Sequence, residues 1–156
     1  MPNDFVNVEI DLGGALRRLQ GLEKRSRDLS TVMSTVAETM LSGVQDNFAR
    51  REGPGGKPWE PLAKSTKERY QREDVDPLEA TLRRTQGGLY PSLQTFSDSD
   101  EAGVSTNKRY AAIHAFGGES DMPPGPAAIP ARPYLYLTRE TQAEIEHDID
   151  HFVSNE

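Results

Sequence analysis

Apolar and polar positions change rhythm several times along this chain, and each change marks an element. Near the start, Phe5, Val6, Val8 and Ile10 alternate with Asn7, Glu9 and Asp11, the period of two that a half-buried strand shows. Past Gly13 and Gly14 the rhythm turns helical: Leu12, Leu16, Leu19 and Leu22 recur three or four apart and predict a first helix running to about Asp28. The clearest stripe follows. Leu29, Val32, Met33, Val36, Met40, Val44 and Phe48 step by three or four and predict a helix over 29–51, closed by Gly53 and Pro54.

Beyond that helix the signals shorten. "AKSTKERYQRE" at 63–73 predicts a short charged helix to which only Tyr70 adds an apolar side chain. "SLQTF" and "GVST", separated by the acidic turn "SDSDEA", read as a β-hairpin. Tyr110, Ile113 and Phe116, spaced by three ahead of Gly117 and Gly118, predict another short helix. Residues 117–133 hold eight Gly or Pro in seventeen positions, so a loop with no regular element is expected there, flexible over 117–130. "ARPYLYLT" places Leu135 and Leu137 opposite Tyr134 and Tyr136, and its prolines suggest an edge strand. Thr141 and Glu144 read as a capping box, followed by Ile145, Ile149, Phe152 and Val153 as the stripe of a C-terminal helix. The sum is an α+β fold: a small, mostly antiparallel β-sheet packed against the long amphipathic helix of 29–51, with the C-terminal helix on its flank, all within one domain over 1–156.

Composition narrows the chemistry. Only 35% of residues are hydrophobic and 28% are charged, so the core must come from those periodic segments. The absence of cysteine excludes disulfides, thiolate zinc sites and cysteine nucleophiles. The N-terminus lacks the basic and apolar regions of a leader, and no run is long enough to span a bilayer, so a cytosolic product without a membrane is expected. Net charge is −7 and uneven: residues 50–84 hold nine Lys or Arg against seven acids, while 138–156 hold one Arg against six acids. Such a chain grips phosphates poorly, because that affinity comes from Lys and Arg.

Catalytic constellations are thin. His147 and His151 stand one helical turn apart beside Asp148 and Asp150, as two metal ligands would. The apolar stripe lies on the other side of their helix, and the glutamate of a metalloprotease is missing. His114 comes with no serine elbow and no carboxylate pair. "GPGGK" fails the phosphate-loop pattern because Pro58 follows Lys57. No catalytic residue, metal or cofactor is therefore expected; the readings from other classes are a metal-dependent hydrolase built on His114, His147 and His151, or a small DNA-binding accessory protein. Trp59, the one tryptophan, sits within "GPGGKPWEPL". It is either a plug for the core or an anchor for a partner, and the pattern leaves both open. A second Gly/Pro-rich loop leads into Arg132 and Tyr134, and Trp, Tyr and Arg dominate interface energetics. Two such loops favour an assembly protein over an enzyme.

Four stretches, "NFARREGPGGKPWEPLAKSTKER", "LRRTQGGLYPSL", "RYAAIHAFGG" and "IPARPYLYLT", resemble in order and spacing the phage virion morphogenesis family of tail completion proteins, found in Mu-like contractile-tailed phages and prophages. Thr85 is followed by Gln86, Gly87 and Gly88, one residue more than the family's turn, and Ala115 stands where a glutamine is usual. The resemblance implies a structural protein of the virion neck, made in the host cytoplasm, that completes the tail and helps join it to the filled head. Its expected partners are copies of itself in a ring, sixfold by analogy with the symmetry of tails, together with the tail tube or terminator and head-neck connector proteins. DNA would meet it only in transit. On this reading Trp59, Pro61, Leu62, Tyr110, Phe116, Arg132, Pro133 and Tyr134 are the candidate subunit-interface residues.

Overall fold

A computed structural model describes residues 14–23, 28–77, 81–83 and 88–154; the predicted strand at 5–10 lies outside them. The described elements are helix α1 (Gly14–Glu23), α2 (Ser30–Arg50), strands β1 (Glu52–Gly53) and β2 (Lys57–Pro58), α3 (Lys64–Arg72), β3 (Gln94–Ser97), β4 (Ala102–Ser105), and helices α4 (Ala111–Phe116), α5 (Pro124–Ala127) and α6 (Arg139–Ser154). The fold is α+β, as the pattern predicts, and among the described residues its sheet component is two antiparallel pairs, β1 with β2 and β3 with β4. No helix among the described residues is long and apolar enough to cross a membrane. The chain divides into two compact units.

One unit, which we call the helical unit, takes in 14–46, 94–105 and 135–154. Its core is the long stripe read from the sequence. Leu29, Val32, Met33 and Val36 pack with Leu19 of α1 and with Ile145 and Ile149 of α6, and Met40, Leu137, Phe152 and Val153 close around them. Each fully buried aliphatic side chain contributes about 1.5–3 kcal/mol. The exposed Arg18–Asp150 ion pair at 2.6 Å adds less than about 1 kcal/mol. At the start of α2 the Asp28 carboxylate accepts the Ser30 N–H at 2.9 Å. Bonds from the Ser30 side chain and backbone hold that carboxyl below its ordinary range, as an occupied helix-start acceptor should be.

The start of α6 differs from the expected box by one turn. Thr138, not Thr141, precedes the helix, and its Oγ1 accepts the Thr141 N–H at 3.2 Å. Thr141 is buried because it packs on α2: a Cβ added at Gly43 would fall 2.6 Å from the Thr141 side chain. Glycine at 43 is what lets the two helices approach there. The hairpin pairs Gln94 with Ser105 through Ser97 with Ala102. Its turn is held by the Asp98 carboxylate, which accepts the N–H groups of Asp100 and Glu101 at 2.7 and 2.8 Å.

The other unit, the aromatic unit, comprises Asn47–Leu93 and Thr106–Tyr134. It contains β1, β2, α3, α4, α5 and the last turn of α2. Its interior is organised differently, and it holds all eight candidate interface residues.

Candidate assembly surface

Phe48 ends the apolar stripe of α2 and is fully buried. Three rings surround it: Trp59 at 5.6 Å and 90°, Tyr90 at 5.3 Å and 76°, and Tyr134 at 5.1 Å and 42° between ring planes. The edge-to-face pairs with Trp59 and Tyr90 contribute about 0.5–1.5 kcal/mol each beyond the area they bury. Local backbone chemistry explains how Trp59 gets there. The chain reverses through Arg51, in the left-handed region at φ 54°, and turns again through Gly55 and Gly56 at φ 74° and 73°. That narrow β1–β2 hairpin returns Trp59 to the helix end, where its N–H meets the Arg51 carbonyl at 2.8 Å.

Side chains then bolt the extended segment 132–134 in place. Trp59 Nε1 donates to the Pro133 carbonyl at 2.9 Å, and Asn47 Nδ2 donates to the Tyr134 carbonyl at 2.9 Å. The Tyr134 hydroxyl donates to the Ala111 carbonyl at 3.0 Å; burial, and then Tyr110, push its ionisation well above the ordinary value. Arg132 donates its backbone N–H to His114 O at 2.7 Å, and its guanidinium reaches Glu60 O from Nε at 3.1 Å and Pro61 O from Nη2 at 3.2 Å. Burial lowers the Arg132 pKa from its usual value, with the Glu60 carboxylate opposing. Side chains of Trp59 and Asn47 take the Pro133 and Tyr134 carbonyls, and "ARPYLYLT" forms no edge strand.

The candidate interface residues therefore separate. Trp59 is 8% exposed, and Arg132 and Tyr134 are buried, each with its polar atoms directed to this chain's own backbone. All three are interior residues of this unit, and Trp59 fills its core. Pro133 is half-buried beside them. Pro61 is exposed and Leu62 half-buried, while Tyr110 is 40% and Phe116 71% exposed.

The loop at 117–130 also departs from expectation, since α5 is a regular turn within it. Gly118 N–H bonds Ile129 O at 2.8 Å, and a Cβ at Gly118 would fall 2.0 Å from the Pro126 carbonyl. Gly117, at φ 85°, ends α4 and starts this return. Glycine at both positions makes the closure possible.

A cavity of about 630 Å³ opens in this unit, walled by Leu62, Tyr70, Leu89, Tyr110, His114 and Arg132 among others, with no carboxylate in its described lining. Arg69, also at its wall, lies 5.2 Å over the Tyr70 ring. His114 stands edge-on to Tyr110 at 5.7 Å, and its Nδ1 is buried without a hydrogen-bond partner among the described residues. Burial first and the nearby Arg132 charge second push its pKa below the ordinary 6.5, so the ring is neutral at pH 7.

His147 and His151 share a groove with Thr31, Thr35 and Phe152 in the helical unit, with ring centroids 6.4 Å apart. The neighbouring Asp148 carboxylate accepts the Thr39 hydroxyl at 2.8 Å. His114 belongs to the other unit, and no group of three or more His, Asp or Glu able to hold a metal occurs among the described residues. Two important residues escaped the pattern. Asn47 stands three after Val44, a position on the apolar stripe that its polarity hides, and Tyr90 lies in "LYPSL" without any periodicity.

Comparison with known proteins agrees with the four sequence stretches. The phage virion morphogenesis family matches residues 10–154, and the chain belongs to that family. It is 35% identical over 147 residues to the putative capsid assembly protein G of Escherichia phage Mu, covering 90% of this chain and 88% of that one. Over 149 residues it is 34% identical to the Mu-like prophage FluMu G protein 2 of Haemophilus influenzae, covering 93% and 95%. No solved structure gives a significant match. The chain is thus a bacteriophage protein of virion morphogenesis.

Proposed function

We propose that this protein is a structural subunit of the neck end of the tail, which completes the tail and supports head-tail joining as a ring of its own copies. The family match across 10–154 carries the reading. It spans both units, which supports treating them as one working domain. The surface agrees: an exposed aromatic side chain and an open cavity occur in a unit whose interior is already held by its own hydrogen bonds, as suits a part built to be joined. Neighbours in the virion would be the tail tube or terminator and the head-neck connector, with a ring order of six by analogy with tail symmetry. The acidic net charge of −7 suits a surface past which DNA slides without sticking.

A second reading rests on the name of the phage Mu relative, a putative capsid assembly protein, and places the protein's work in building the head. Removing the gene and imaging the lysate separates the two. Filled heads and unjoined tails are expected on the first reading. Missing or malformed heads would favour the second, and complete, infectious particles would sink both.

A further inference from the structure

The cavity and the exposed aromatic residue lie on one short element, α4. Tyr110 and His114 are one turn apart and face the cavity. Phe116 follows His114 by two residues, roughly 200° around the helix, on the far side. Among the described residues it is the most exposed large apolar side chain, at 71%, whereas Phe96, exposed on the β3–β4 hairpin, already lies over Gly103. Nothing among the described residues explains why a phenylalanine is held out there.

We propose that Phe116 of one copy seats in the cavity beside Arg69, Tyr110 and Arg132 of the next. This deepens the ring reading and rests on it. Three observations select the occupant. The cavity, about 630 Å³ with mostly apolar walls, suits an apolar side chain, and guanidinium groups at its wall favour an aromatic ring. Charge matches as well: the cavity carries Arg69 and Arg132 with no carboxylate in its described lining, while Phe116 leads into exposed Glu119 and Asp121. Finally, a projection and a hollow on opposite sides of one helix suit a head-to-tail link between copies, the contact type that generates rings when its rotation closes.

The test uses the full chain with benzoylphenylalanine at position 116, irradiated as the purified protein or, where copies associate only on tails, as assembled tails. A ladder of cross-linked copies is expected, with adducts mapped to Leu62, Thr66, Arg69 or Leu89. Phe116→Ala should raise the concentration for half-assembly roughly tenfold or more with unchanged melting, since its side chain is mostly in solvent. Thr66→Trp, which narrows the hollow, should do the same. Oligomers that form normally in both variants, or adducts on another virion protein, would overturn this joint and leave the ring reading standing. A parent chain that never associates, alone or on tails, would overturn the ring reading and the joint with it.

Discussion

The two units hold themselves together by different means. In the helical unit, Leu19, Leu29, Val32, Met33, Val36, Ile145 and Ile149 form an aliphatic core whose stability scales with area and is indifferent to direction. In the aromatic unit, Phe48 sits among Trp59, Tyr90 and Tyr134, and the surrounding chain is fixed by side-chain donors on backbone carbonyls. Aliphatic burial needs only a repeating stripe. Aromatic packing with directed bonds can order a chain that has almost no regular structure, because each donor selects one carbonyl and each ring one tilt.

The largest effect that tests this contrast is truncation at the ring cluster. Phe48→Ala should cost about 3–5 kcal/mol of stability, against about 2–5 for Ile145→Ala in the aliphatic core. Both are read from urea denaturation. Equal, small losses below about 1 kcal/mol for both would mean that neither cluster is a core.

Next in size is a pair of volume-sparing swaps. Asn47→Leu keeps bulk but strips the Tyr134 carbonyl of its donor, and should cost about 1–3 kcal/mol. Met33→Leu removes no directed bond and should cost less than about 1.5 kcal/mol. If the order reverses, the hydrogen bonds around 132–134 are decoration and the contrast fails.

Smallest is a pH effect confined to the aromatic unit. Because the folded His114 pKa lies below its unfolded value near 6.5, the unfolded chain binds its proton first. Stability contributed by keeping this ring neutral is therefore intact above about pH 6.5 and declines as pH falls toward the folded pKa. His114→Gln should flatten that part of the acid limb in melting temperatures between pH 7 and 5. An unchanged slope would place His114 in contact with water.

Legibility from sequence follows the same division. The helix of 29–51 and the hairpin around "SDSDEA" emerged within a residue or two, because period and turn chemistry are local properties. The pattern reads Thr141 as a cap because nothing nearby in sequence reveals that Gly43 lies against it. In the aromatic unit the pattern leaves Trp59 open between core and interface and offers Arg132 and Tyr134 as interface candidates, because their partners within the chain are carbonyls 70 or more residues away or across a loop. Backbone acceptors carry no sequence signature, so a side chain that binds one looks unpaired until the fold is known. Phe116 and Tyr110 are exposed in this chain.

The Arg132 clasp has a consequence for how this family can change. Its guanidinium grasps the main chain of positions 60 and 61, and every amino acid supplies a carbonyl there. Side chains on that stretch can drift toward whatever a new neighbour in the particle demands while the path of the loop persists. A randomised library at Glu60 and Pro61, selected for folding alone, should return many solutions, and one at Arg132 very few.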